Sequence, residues 1–158
     1  MNKIKSILFV CTGNSCRSVM AEGLARKYLK ELGKSYISVS SAGSSAIDGL
    51  SPTQETVNVM KDEGLDVSAF RSKRLTAELI KNSDLILVME NFHREAVLDL
   101  SPESGDKTYL LTEFGLWGGK RDGRPGGVND PIGQPVDRYK ETFESIKESI
   151  ERLIKILI

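Results

Sequence analysis

Eight consecutive residues, Cys11-Thr12-Gly13-Asn14-Ser15-Cys16-Arg17-Ser18, carry the chemistry most readily available to this chain. A cysteine thiolate is a strong nucleophile, and a thiol at a helix N-terminus beside a cation is favoured in that form. Arg17 supplies a planar fork that can bind two oxygens of a phosphate. A turn between a strand and a helix directs successive backbone N–H groups inward as an anion nest, and the start of the helix adds its positive dipole end. Gly13 and Asn14 tolerate the unusual backbone angles such a cradle needs. Ser18 is placed to donate its hydroxyl to the Cys11 sulfur, first as nucleophile and later as leaving thiolate. Residues Thr12 to Ser18 are thus expected to hold a phosphoryl group that Cys11 attacks. The plainer alternative is a structural cysteine in an ordinary strand-to-helix turn. The conjunction of strand, cysteine, Gly-Asn turn, arginine and helix start weighs against it.

A second feature completes the chemistry. Asn129-Asp130-Pro131-Ile132-Gly133 stands just before the last helical stretch. An Asp-Pro dipeptide alone is usually only a turn. Beside a phosphate cradle its carboxyl can protonate a leaving group and then activate water, so Asp130 is the expected general acid and base.

The elements that must position these groups are legible from periodicity. Ser6 to Val10 is a continuous apolar run ending at Cys11, which suits a strand buried on both faces of a parallel sheet. A helix follows from about Arg17, with Met20, Ala21, Leu24, Ala25, Tyr28 and Leu32 at three-to-four spacing and Gly33 as its stop. Tyr36 to Ser40, Leu85 to Met89 and Thr108 to Leu111 read as further strands. Ser51, Pro52 and Gln54 suggest a capping box for a helix carrying Val57, Met60 and Leu65 inward, closed by Gly64. Thr76 caps a short helix, and another is expected around His93 to Leu98. Tyr139, Phe143, Ile146, Ile150, Leu153 and Leu157 form the apolar stripe of a last helix. Strands alternating with helices predict a doubly wound α/β fold, whose ligands bind at the carboxyl ends of the strands. The Cys11 turn lies at such an end. Gly115 to Gly133 reads as a long loop, in which Trp117, Lys120, Arg121 and Arg124 are either a mobile lid or a solvated surface.

The length, 158 residues, suits one domain spanning 1–158. Basic and acidic residues balance at 22 each, so no global field draws in nucleic acid or anionic membrane, and any anion site is local. There is no apolar run long enough for a membrane span and no signal-peptide pattern. With two cysteines five positions apart there is no disulfide framework, and the reducing cytoplasm is the expected compartment.

The stretch FVCTGNSCRSVMAEG resembles the active-site signature of low-molecular-weight protein-tyrosine phosphatases, and the similarity runs from about Ile4 into the C-terminal helix. The resemblance implies a single-domain, three-layer fold with a central four-stranded parallel sheet and flanking helices. It implies a phosphocysteine intermediate formed on Cys11, phosphate binding by Arg17 and general acid catalysis by Asp130, with no metal or cofactor. It also implies that Asn14, Ser18 and Ser41 support the loop. A phosphorylated protein is the implied partner, and a monomer is expected. Cys16 reads either as a small apolar filler or, as the resemblance implies, as a partner that protects Cys11 through a reversible disulfide.

The chain departs from the family pattern in several places. Phe70 stands where a loop-bracing histidine is common, which questions any bracing from that side. His93, the only histidine, reads as a surface helix residue, and Val19 replaces a common proline. Ser15 stands where tyrosine phosphatases often carry a bulky aliphatic residue, and Ile132-Gly133 where they carry aromatics. The bacterial protein-arginine phosphatase branch has a small hydroxyl residue at the Ser15 position. Phosphotyrosine and phosphoarginine are therefore level as substrates, with Trp117 able to supply an aromatic wall. Two rivals come from other classes. A thiol-dependent arsenate reductase needs more cysteines than this chain has, and a non-catalytic phosphoprotein-binding module has no use for Cys11, Arg17 and Asp130 together.

Overall fold

The computed structural model describes residues 3–116 and 126–157. Four strands, β1 (Ser6–Cys11), β2 (Ser38–Gly43), β3 (Leu85–Val88) and β4 (Thr108–Leu110), pair in parallel in the order β2-β1-β3-β4. Parallel neighbours need crossovers, which α1 (Arg17–Glu31), α2 (Gln54–Asp62), α3 (Ala77–Lys81), α4 (Asn91–Leu100) and a 3-10 turn at Pro102–Lys107 provide. The last helix, α5 (Val136–Leu157), follows the sheet in sequence.

β1 shows why its sequence is continuously apolar. Ile7, Phe9 and Cys11 join a core with Met20, Leu24, Phe143, Ile146 and Ile150, while Leu8 and Val10 join a second with Ile80, Ile86, Val88 and Val97. The strand is thus covered by α1 and α5 on one face and by α3 and α4 on the other, the arrangement expected of a parallel sheet. This is the single-domain, three-layer α/β fold expected from the sequence. Along α5 the expected stripe is buried except Leu157, which is half-buried, and Ile154 joins it. Among the described residues no helix is long and apolar enough to cross a membrane.

Two boundaries differ from the sequence reading. α2 is capped by Thr53, whose hydroxyl accepts from the Thr56 amide at 3.3 Å, rather than by Ser51. Pro52 precedes the cap, Gln54 opens the helix, and Thr56, Val59 and Met60 are the residues it buries. β2 runs to Gly43 because its register follows β1 to the end, from Ser6 opposite Ser38 to Cys11 opposite Gly43. Its serines disguise this: Ser41, Ala42 and Gly43 are all buried. Gly33 and Gly64 follow their helices with φ of 71° and 82°, as C-terminal stops require.

Gly43 fixes the approach of β2 to the Cys11 turn. A β-carbon there would lie 2.5 Å from the Thr12 carbonyl oxygen and 2.8 Å from the Asn14 nitrogen, both backbone atoms. Substitution Gly43→Ala is expected to cost about 1–3 kcal/mol, as overpacking in a tight site does. Denaturant unfolding measures this, and an unchanged midpoint would show that the turn is not set against β2.

Candidate active site

The Cys11–Ser18 turn joins the end of β1 to α1 at the carboxyl edge of the sheet. Its carbonyls are taken up by neighbouring chain: Ser44 donates to Cys11 at 2.8 Å, Ser45 to Thr12 at 2.9 Å and Thr53 to Ser15 at 3.1 Å. Among the described residues the amides of Gly13, Ser15 and Cys16 have no protein acceptor. The first amides of α1 are unpaired within the helix, as at any helix start. This is the donor-rich cradle that the sequence suggests. Cys11 is buried and receives the Asn14 amide at 3.3 Å, with Ser18 Oγ 2.9 Å from its sulfur.

Asn14 organises the interior. It takes φ of 53°, the only non-glycine positive φ among the described residues. Its Oδ1 accepts from the Lys73 backbone amide at 3.0 Å, which fixes the amide orientation. Its Nδ2 therefore donates to Ser18 Oγ at 2.7 Å and Ser41 Oγ at 2.9 Å. The Ser41 hydroxyl in turn donates to Glu22 Oε1 at 3.0 Å. Ser18 Oγ keeps its own hydrogen and lies 2.9 Å from the Cys11 sulfur, so it donates to that sulfur whenever the sulfur is a thiolate. The segment around Phe70 does brace the loop after all. It does so through the main chain of Lys73, which no side-chain pattern reveals.

Arg17 is only 2% exposed. Its Nη1 donates to Glu90 Oε2 and to the Val128 carbonyl, each at 2.7 Å. Its Nη2 lies 3.3 Å from Thr12 Oγ1 and 3.7 Å from Asp130 Oδ2. The Asp130 carboxylate is 42% exposed and accepts the Ile132 amide through Oδ1 at 3.0 Å. The loop bearing it is tied to the sheet, because Val128 N–H donates to the Met89 carbonyl at 2.7 Å and Gly127 packs against the same carbonyl. Glu90, Val128 and Glu22 were not singled out from sequence. Glu90 directly follows the third strand's apolar run, the position at which ligand-binding groups of such folds gather.

His93 is not a surface residue. It is fully buried, with Nδ1 accepting the Glu90 amide at 3.0 Å and Nε2 2.8 Å from Thr12 Oγ1. Burial, aided by the Arg17 charge, lowers its pKa to about 3. The signal was present as Glu90-x-x-His93, a capping box at the start of α4 with unusual partners. Cys16 is buried beside Thr56, and burial pushes its thiol up to about 12. Ser15 is half-buried, and Ile132 and Val136 are exposed beyond Asp130. The lid candidates Trp117, Lys120, Arg121 and Arg124 lie outside the described residues. Among the described residues no group of three or more His, Cys, Asp or Glu is disposed to hold a metal.

A buried sulfur in a turn whose amides lack protein acceptors, beside a clamped guanidinium and a half-exposed carboxylate, can bind a tetrahedral oxyanion and transfer its central atom. Known proteins match this chain over nearly its whole length. The model of the low molecular weight phosphotyrosine protein phosphatase family matches residues 6–158. A protein-arginine-phosphatase of Geobacillus stearothermophilus is 34% identical, over 96% of this chain and 95% of its own. The crystal structure of a low molecular weight protein tyrosine phosphatase from T. tengcongensis is 40% identical, with a TM-score of 0.85 over 96% of this chain and 99% of its own. A mutant of the YwlE arginine phosphatase with a phosphorylated active-site serine is 32% identical, with a TM-score of 0.86 over 96% of this chain and 95% of its own. The chain therefore belongs to the low molecular weight phosphotyrosine protein phosphatase family.

Proposed function

We propose that this protein phosphatase moves a phosphoryl group from a phosphorylated protein to Cys11 and then to water. The Cys11 thiolate attacks phosphorus while the bond from phosphorus to the leaving oxygen or nitrogen breaks. The cradle amides and the free edge of Arg17 hold the phosphoryl oxygens. Asp130 gives its proton to the leaving atom, then takes one from the water that displaces sulfur and releases inorganic phosphate. Ser18 steadies the returning thiolate. The observation that carries this reading is the 3.7 Å approach of Arg17 Nη2 to Asp130 Oδ2, at the mouth of a cradle that holds the Cys11 sulfur.

Phosphotyrosine and phosphoarginine are both proposed as substrates. Relatives named for each have similar identity to this chain. The half-buried hydroxyl of Ser15 suits a guanidinium, and the exposed Ile132 beside Asp130 offers apolar contact to a phenyl ring. The balanced charge and the two free, buried thiols fit a single-domain cytoplasmic monomer acting on protein, without nucleic acid or membrane as partner. Cys16 is proposed to close a disulfide on an oxidised Cys11, expelling hydroxide from its sulfenic acid.

Three outcomes are expected. Asp130→Asn slows turnover of poor leaving groups far more than that of p-nitrophenyl phosphate, whose product leaves without a proton; equal losses would remove Asp130 from the acid role. Ser15→Ile raises the phosphotyrosine to phosphoarginine ratio of kcat/KM by about tenfold or more, the effect of one well-placed apolar contact. An unmoved ratio would shift selectivity to other residues, Ile132 first. After mild peroxide, the yield of Cys11–Cys16 disulfide rises from pH 6 to pH 9. The attacking group is the Cys16 thiolate, and a thiol held near 12 gains about tenfold in thiolate per pH unit below that value. Absence of that disulfide at every pH by mass spectrometry would exclude Cys16 as the resolving thiol, and a pH-independent yield would show that its thiolate fraction does not limit closure.

A further inference from the structure

The hydrogen-bond chain Glu90–His93–Thr12 determines where one hydroxyl proton in the cradle points. A backbone amide can only donate, so the Glu90 N–H leaves His93 Nδ1 as an acceptor without a proton. Fully buried beside the Arg17 cation, the imidazole stays neutral, so its single proton sits on Nε2. Nε2–H therefore donates to Thr12 Oγ1, 2.8 Å away. Arg17 Nη2, which also can only donate, approaches the same oxygen at 3.3 Å. These two donors occupy both lone pairs of the Thr12 hydroxyl. Its hydrogen is left pointing away from His93 and Arg17, and it has no acceptor among the described residues. Because Arg17 Nη2 is also the atom that nears Asp130 Oδ2, the Thr12 hydroxyl stands on the substrate side of the guanidinium.

We propose that Thr12 is a further catalytic residue whose hydroxyl donates to an oxygen of the phosphoryl group in flight, and that His93 is the positioning residue that aims it. The proposal rests on the phosphocysteine reading given above. It gives a task to a buried histidine that the cysteine chemistry leaves unused. A donor fixed before substrate arrives needs no reorganisation as charge shifts on the phosphoryl oxygens, which is where such a group is most effective.

The test uses Thr12→Val, which keeps the shape and removes the hydroxyl, and Thr12→Ser, which keeps the hydroxyl. With p-nitrophenyl phosphate, Thr12→Val is expected to lower kcat and kcat/KM together by about tenfold or more, the effect of losing a hydrogen bond to a charged group. Thr12→Ser should stay within about threefold of the unaltered enzyme. Inhibition by vanadate, which adopts the five-coordinate geometry of transfer, should weaken more than inhibition by inorganic phosphate. His93→Asn keeps an acceptor for the Glu90 amide but cannot reach Thr12. It is expected to lower kcat/KM alone and to have no further effect in the Thr12→Val background. Thr12→Val within twofold of the unaltered enzyme would overturn the proposal. An equal His93→Asn loss in both backgrounds would overturn the positioning role. If His93→Asn fails to fold, the Thr12 pair and the two inhibitors decide the matter. Turnover retained by Cys11→Ser would overturn the phosphocysteine reading and this proposal with it, whereas a silent Thr12 alone leaves that reading standing.

Discussion

Asn14 sits in a left-handed backbone conformation, fully buried, and three hydrogen bonds from its side chain hold it there. The rest of the site depends on this arrangement. A non-glycine residue at positive φ is strained unless its surroundings over-determine it. Here the surroundings are α1 through Ser18, β2 through Ser41 and the segment before α3 through Lys73. The turn at Asn14 aims its own amide at the Cys11 sulfur, and the same side chain donates to the Ser18 oxygen that lies 2.9 Å from that sulfur. Cradle shape and nucleophile environment are thus set by one residue. Its supports come from three parts of the fold that are distant in sequence.

Arg17 is held with comparable firmness. One end of the guanidinium is committed to Glu90 and the Val128 carbonyl, which leaves the other facing Thr12 and Asp130. A lysine has no second edge and could not be clamped and still present a planar fork. The contact to Val128 has a further effect. It ties the guanidinium to the loop that carries Asp130, two residues on. Holding reacting groups in a fixed relation before substrate arrives is a major source of rate enhancement. The ion pair between buried Arg17 and half-buried Glu90 is best understood in that light, since desolvation of the guanidinium offsets much of what such pairs give in stability.

Much of this was legible in the sequence because the informative groups are contiguous. Cys11 to Ser18 form one turn, and the apolar run before it and the helical stripe after it place that turn in the fold. Asp130 was legible through its Pro131 neighbour and its position before α5. What escaped was carried by the backbone or by long-range contacts. The Lys73 amide and Val128 carbonyl are chemically identical to every other peptide group, so residue type cannot mark them. Glu90 and Glu22 look like ordinary helix-associated carboxylates until tertiary contacts bring Arg17 and Ser41 to them. His93 was misread because a lone histidine near a helix start is ordinarily solvated. Only the joint demand of the Glu90 amide and the Thr12 hydroxyl accounts for its burial.

The bond from the Lys73 main chain to Asn14 bears on how this segment can diverge. A side-chain brace is lost by a single replacement, whereas a main-chain brace survives almost any replacement except proline, which lacks the N–H. Residue 73 can therefore drift in character while the bond to Asn14 persists. Insertion or deletion between Gly64 and Thr76 is another matter, because it shifts which amide arrives opposite Oδ1. The parallel bridge between Gly43 and Arg74, and the Asp48 carboxylate on the Arg74 amide, hold that alignment from the neighbouring residue. For this stretch of the chain, spacing is under tighter constraint than identity.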